Sequence, residues 1–261
     1  MNEPGPASGM ESRPHGNPVI DFLAAMQFLT WMPPIIRRGF TDNEMARAVG
    51  YYPLVGLVIG LILASAARLL GLLFPLPVSS ALLLACWVVS SGGLHVDGFL
   101  DACDGLLGGS TPESRLAIMH DHRIGSFAFC GGLLLFLVKF TALTALTARQ
   151  FPALLLAPVL GRWVMSLAVV VFPYGRPQGL GKNLKAHSGW QQAALATAIA
   201  LGVAWFSAGL RGLVSILIAL VVAAGIVRFT LRRIPGLTGD IYGALNESIE
   251  VVVLLVFCSL H

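Results

Sequence analysis

The sequence predicts an all-α protein, a polytopic bundle of transmembrane helices. Three observations carry that reading. Only 11% of the 261 residues are charged and 56% are hydrophobic, with a mean hydropathy of +0.79, whereas a soluble domain carries about 25% charge. The apolar residues come in long runs broken by short polar connections. Runs such as "LLLFLV" lack the alternation of a membrane β-strand, so the spans are helices.

Taken in order, residues 1–18 are rich in Pro, Gly and Ser and lack the basic start of a signal peptide, so they read as a disordered tail. Residues 19–261 read as one integral membrane domain. Its first apolar stretch, Val19–Ile36, contains Asp21, Gln27 and Pro33-Pro34, which suits an interfacial or re-entrant helix better than a span. Seven spans follow, at about Tyr51–Phe74, Val78–Ser91, Gly125–Thr147, Leu154–Phe172, Gln191–Leu210, Leu213–Phe229 and Ala244–Leu260. Cys86, Cys103, Cys130 and Cys258 are scattered and form no C-x-x-C pair, so neither a disulfide framework nor a zinc site is indicated.

Basic residues set the orientation. Of 17 Lys and Arg residues, Arg68, Lys139 and Arg162 fall within spans and only Arg149 and Arg211 fall on the far side. The remaining twelve share the side of the N-terminus, which the positive-inside rule makes cytoplasmic. The net charge of +4 therefore reflects topology and not nucleic-acid binding. The three substantial polar connections, His95–Ile124, Pro173–Trp190 and Thr230–Gly243, all land on that face, so the chemistry is expected there. The location that follows is the inner, cytoplasmic membrane.

Five of the 13 Asp and Glu residues lie between Asp97 and Asp121. On a helix, Asp97, Asp101 and Asp104 are spaced by four and three residues and share one face. Like charges so placed repel, and beside a bilayer an acid costs more still. A divalent cation or an arginine must offset them. Carboxylates suit Mg²⁺, which commonly takes one or two alongside substrate phosphates, so all three are candidate metal ligands. The glycines around them would weaken the helix and let backbone approach a ligand.

Downstream, "RLAIMHDHRIGS" offers Asp121 as a further ligand or base, and Arg115 and Arg123 as phosphate binders. His95 immediately precedes the acidic face and joins the catalytic set. His120 and His122 read equally well as proton carriers or as interface loop residues. Arg176, in a glycine-rich loop with Lys182 and Lys185, is a candidate substrate contact, although positive-inside charge explains this loop equally well. Asp240 and Glu247 stand at the entrance to the last span. Glu247 and Glu250 there complement a helix dipole, but an acid entering a span faces the bundle by default. Arg162 should face the bundle interior, against an acid or a substrate phosphate, whereas Lys139 can snorkel to the interface. Acids on one face with arginines on one membrane side suggest metal-assisted chemistry on a phosphorylated substrate.

The segment "GGLHVDGFLDACDGLLGG" followed by "RLAIMHDHRIGSFAFCGG" resembles the signature of the cobalamin synthase family. "AMQFLTWMPP", "YYPLVGLVIG" and "GLTGDIYGALNE" fit the same pattern, in order and over nearly the whole chain. The resemblance implies a Mg²⁺-dependent integral membrane transferase. In that reaction a hydroxyl of α-ribazole, or of its 5′-phosphate, attacks adenosylcobinamide-GDP, giving adenosylcobalamin (or its phosphate) and GMP. It implies that Asp97, Asp101 and Asp104 hold the metal on the diphosphate, with Asp121 as another ligand or the base and Arg115 and Arg123 on phosphate oxygens. The partners are then small-molecule substrates and membrane lipid, with no nucleic acid, and a homo-oligomer is compatible with the sequence. Two other readings compete. A CDP-alcohol phosphotransferase would place an alanine-arginine pair between its later acids, and Asp104-Gly-Leu-Leu-Gly-Gly lacks it. A cation-coupled transporter would need internal repeats or polar residues on the far side, and the sequence has neither.

Overall fold

The computed structural model describes residues 16–121, 123–146 and 151–259. Most of the expected tail, the span ends at Thr147 and Leu260, Arg149 and His122 lie outside the described residues. Among those described, the chain is a bundle of α-helices with a single isolated β-bridge, between Tyr174 and Leu237.

The N-terminal helix α1 runs Pro18–Leu29. Asn17 caps it through Oδ1, which accepts from Val19 N, and Pro18 occupies the first turn, where its missing N–H costs nothing. At 12 residues it is about 18 Å long, too short to cross a bilayer. Residues 31–41 continue without helix. The Gln27 side chain holds them by donating to the carbonyl of Ile36 and accepting its N–H. Asp21, the other polar residue of this stretch, is buried and pairs with Arg47 at 2.8 Å. Arg47 lies on α2 (Asp42–Ala48), a short helix closed by a Thr41–Glu44 capping box.

A 3-10 turn, Val49–Tyr51, leads into α3 (Tyr52–Leu73), whose 22 residues reach about 33 Å. Then α4 (Leu76–Ser90) returns. The chain next bends by 89° into α5 (Leu94–Gly108). Gly92 and Gly93 make that bend, with φ of 60° and 75°, a region side chains rarely adopt. The span expected at Val78–Ser91 is thus a 15-residue helix ending in a sharp corner. After α6 (Pro112–Ile118) come α7 (Ser126–Ala145), α8 (Pro152–Val171), α9 (Leu180–His187), α10 (Trp190–Ala208), α11 (Leu210–Leu231) and α12 (Gly239–Ser259). Among the described residues six helices are long and apolar enough to cross a membrane, seven if α4 with α5 counts as one broken span. The last helix starts five residues earlier than the apolar run suggests, because the Thr238 hydroxyl accepts from Ile241 N and opens the helix within the polar segment.

At the centre, α8 packs on α3 and α12, and α12 packs on α5. Most residues of α8 and α12 are buried, while α10 and α11 keep most of theirs on the outside. The α5–α12 crossing is close because glycines meet there. A Cβ on Gly243 would sit 2.8 Å from the His95 carbonyl oxygen, and one on Gly98 would sit 3.1 Å from Asp240 backbone. Gly98 therefore serves helix packing, and α5 runs through its glycines unbroken.

Among the described residues the long polar connections meet at one end of the bundle. Trp31 N donates to the Ser90 carbonyl, and Asn183 Nδ2 donates to Asp42 Oδ1. Ser188 Oγ donates to the Ala46 carbonyl. Residues 173–175 and 237 are clasped by two backbone hydrogen bonds of 2.7 and 2.8 Å.

Candidate active site

The unbroken helix α5 puts Asp97, Asp101 and Asp104 on one face, as their spacing predicts, but in three different environments. Asp97 is exposed, Asp101 is partly covered and Asp104 is buried. The Asp104 Oδ2 accepts from Gly125 N at 2.6 Å and its Oδ1 from Ala128 N at 2.8 Å. These are backbone donors of the first turn of α7, whose own N-cap residue, Gly125, has no side chain to offer. Asp104 is thus the N-cap of α7, supplied from another helix. The side chains of Asp97 and Asp101 make no hydrogen bond or ion pair with other described residues. Asp101 has Asp97, Asp240, Asp104 and Arg176 as its electrostatic neighbours. The three acids line one depression of about 110 Å³, with Arg123 at its edge.

Asp97 also borders a second and larger cleft of about 340 Å³, enclosed by α1, α3, α5, α8, α9, α12 and the 174–179 loop. At its mouth Arg176 donates to Asp240 at 2.7 Å, and the Thr238 hydroxyl donates to the same carboxylate oxygen. Arg176 also reaches the Met119 carbonyl, tying the 174–179 loop to the end of α6. Partial burial, chiefly, pushes the Tyr174 phenol above its usual range; Arg176 opposes that shift and Asp240 adds to it. Deeper in, the cleft is apolar and aromatic, and His95 lines it with 2% of its surface exposed.

The remaining predicted residues separate into two groups. Asp121 and Arg123 pair with each other at 2.7 Å beside the acid depression. Arg115 turns away from it: its chain packs against Gly105 and Gly109 at the end of α5, and its Nη1 reaches the Arg233 carbonyl. Arg162 and Glu247 are in the interior of the bundle. Arg162 donates to Glu250 at 2.8 Å, to Asn246 and to the Pro158 carbonyl. Lys139 donates to both Glu247 and Glu250 and sits 4.8 Å from the centre of the Trp87 ring. Two acids and two bases are thereby paired away from water. Arg162 faces an acid, as expected. Lys139 does not snorkel, being 2% exposed, because two carboxylates hold it inside. Lys185, on α9, donates to the Val170 carbonyl, and burial lowers its proton affinity.

Among the described residues no three His, Cys, Asp or Glu side chains are grouped to hold a metal unaided. Asp97 and Asp101, one turn apart and without other partners, fit a cation such as Mg²⁺ that completes its shell with substrate phosphate and water. Asp104 is already committed to backbone donors on both oxygens.

A family model described as cobalamin-5-phosphate synthase matches residues 21–258. The chain belongs to the cobalamin-5-phosphate synthase family. It is 41% identical over 235 residues to an adenosylcobinamide-GDP ribazoletransferase of Pseudomonas paraeruginosa, covering 89% of this chain and 95% of that one. A Pseudomonas putida protein of the same name is 41% identical over 244 residues (91% and 98%), and a Stutzerimonas stutzeri protein is 39% identical over 239 (91% and 97%). No solved structure matches. The family membership agrees with the resemblance carried by the acid-rich segment. Its match runs through α5, the 174–179 loop and α12, so both the depression and the cleft lie within the family's own territory.

Sequence reasoning missed the division of labour among the three aspartates, because spacing alone cannot distinguish a carboxylate bound to backbone from a free one. It missed the ion pair between Arg176 and Asp240, 64 residues apart. It also missed Tyr52 and Tyr242, which line the large cleft and which nothing in an apolar run marks out.

Proposed function

We propose that the chain is an adenosylcobinamide-GDP ribazoletransferase working at the cytoplasmic face of the inner membrane. The observation that carries the reading is the presence of two unpartnered carboxylates, Asp97 and Asp101, on the signature helix of a family whose members bear that name. The twelve-to-two distribution of basic residues supports the sidedness.

In this reading Asp97 and Asp101 would hold Mg²⁺, which would supply neutralisation of the charge that builds up on the diphosphate of adenosylcobinamide-GDP. Arg123 at the acid depression and Arg176 at the adjoining cleft receive phosphate oxygens, Arg176 being held in place by Asp240. A hydroxyl of α-ribazole or of its 5′-phosphate attacks the phosphorus on the cobinamide side. Its oxygen forms the new P–O bond, the bridging P–O bond breaks, and GMP leaves with the bridging oxygen. The hydroxyl proton passes to a carboxylate of the cluster, with Asp121 beside Arg123 as a candidate base. His95 shapes the adjoining cleft. Glu247 and Arg162 act from the interior, Glu247 by tying α12 to Lys139 of α7 and Arg162 by tying α8 to Glu250 of α12, and Arg115 by fixing the α5–α6 corner.

The test is an assay of the purified protein in liposomes with adenosylcobinamide-GDP, α-ribazole and Mg²⁺. GMP release that requires both substrates and is abolished by chelation supports the assignment. No release, where a reference family enzyme is active, removes it. Release that persists after chelation would remove the metal alone.

A further inference from the structure

The large cleft contains three polar groups that the fold leaves without partners. Tyr52 Oη, Tyr242 Oη and His95 Nε2 are buried and have no hydrogen-bond partner among the described residues. The three side chains come from α3, α12 and α5, are 1%, 5% and 2% exposed, and all line the same cavity. Buried polar groups are nearly always satisfied, so three orphans around one cavity mark the place of a ligand with its own donors and acceptors. Apolar walls stand around them, Phe28, whose ring lies 6.3 Å from that of Tyr52, together with Met165 and Val169, while His95 also neighbours the buried Arg162, Glu250 and Lys139. The charged pair Arg176–Asp240 stands at the mouth.

We propose that this cleft is the binding site for the heteroaromatic base of the nucleoside acceptor, with the sugar directed outward toward Asp97. The proposal rests on the ribazole-transfer reading given above. The depth of the cleft favours a planar, mostly apolar bicycle with one unsubstituted ring nitrogen, which is the character of a benzimidazole. The aromatic and thioether walls give it stacking surface, and a tyrosine hydroxyl or the imidazole N–H donates to the ring nitrogen. The other orphans meet ribose hydroxyls. A phosphate finds no free cation there, because Arg176 is paired with Asp240 and the Arg162 and Lys139 near His95 are paired with Glu250 and Glu247, and a corrin macrocycle is far larger than 340 Å³ of space admits. Guanine would bring a crowded polar edge against walls of leucine, valine and methionine, where most of it would go unpaired. The placement also orders the reaction geometrically, because Asp97 borders both the base cleft and the acid depression where the diphosphate sits.

Tyr52→Phe and Tyr242→Phe remove one hydroxyl each and leave the walls intact. The experiment measures KM for α-ribazole and for adenosylcobinamide-GDP in both variants, with thermal unfolding in detergent as a check on folding. Each KM for α-ribazole should rise about three- to tenfold, the effect of one neutral hydrogen bond. The KM for adenosylcobinamide-GDP should stay within about twofold. A ribosylindole analogue, lacking the ring nitrogen, should bind the native protein less tightly than α-ribazole by calorimetry. That preference should shrink in at least one variant. A rise confined to the adenosylcobinamide-GDP KM would assign the cleft to the other substrate and overturn the proposal, as would no change in either. Calorimetric binding of α-ribazole needs no turnover, so it decides this proposal even if GMP release fails and takes the transferase reading with it.

Discussion

Asp104 on α5 accepts the backbone N–H of Gly125 at 2.6 Å, and this contact separates it from the two aspartates beside it. A Cβ on Gly125 would lie 2.6 Å from the same carboxylate, so residue 125 has no room for a side chain of its own. Asp104→Ala strips two donors of the first turn of α7, Gly125 N and Ala128 N, of their acceptors. It should cost about 2 kcal/mol, toward the upper end of N-cap losses. Thermal unfolding in detergent should show a lowered midpoint. An unchanged midpoint would mean that the cap does not hold α7.

The interior network predicts a sign reversal between single and double substitutions. Lys139→Met leaves Glu247 and Glu250 facing Arg162 alone, and an uncompensated buried charge costs about 3–5 kcal/mol. Adding Glu247→Gln restores the balance of one acid to one base, so the double variant should be more stable than Lys139→Met. Additive losses, measured by unfolding midpoints and yield of folded protein, would deny the coupling.

At the α5–α12 crossing, Gly243→Ala would place a methyl 2.8 Å from the His95 carbonyl. The two helices must separate, at a cost of about 1–3 kcal/mol. Because His95 and Asp97 move relative to Asp240, activity should fall more than stability does. The control is Gly202→Ala, since nothing lies within 4 Å of a Cβ there. Equal activity in the two variants would sever the crossing from the site.

The sidedness is open to chemical mapping. Cysteines placed at exposed Gln178 or Glu113, in a background without the native four, should react with a membrane-impermeant thiol reagent only after the inner membrane is opened. Labelling of intact spheroplasts would reverse the topology.

Much of this architecture is legible in the sequence. Long apolar runs locate the spans, and four-three spacing gives the acid face. Asp21 and Gln27 flag α1 as something other than a span, and each proves to be a tether, Asp21 to Arg47 and Gln27 to Ile36. What the sequence hides is long-range pairing. Nothing local joins Lys139 to Glu250 across 111 residues or sends Asp104 to a helix that begins 22 residues later. Nor does hydropathy reveal that an apolar 15-residue helix stops at a corner, because the corner depends on the backbone of two glycines. Tyr52 and Tyr242 become visible only when two distant helices enclose one cavity.

In the proposed reaction the carboxylates of Asp97 and Asp101 do the chemical work while Asp104 holds the fold. GMP release from adenosylcobinamide-GDP by Asp97→Asn, measured beside its unfolding midpoint, tests it most directly. The variant should unfold within about 0.5 kcal/mol of the native protein, as for a surface change. Its rate should be lowered by about a hundredfold or more, as several kcal/mol of charge stabilisation is lost. A native rate from a folded Asp97→Asn protein would contradict it.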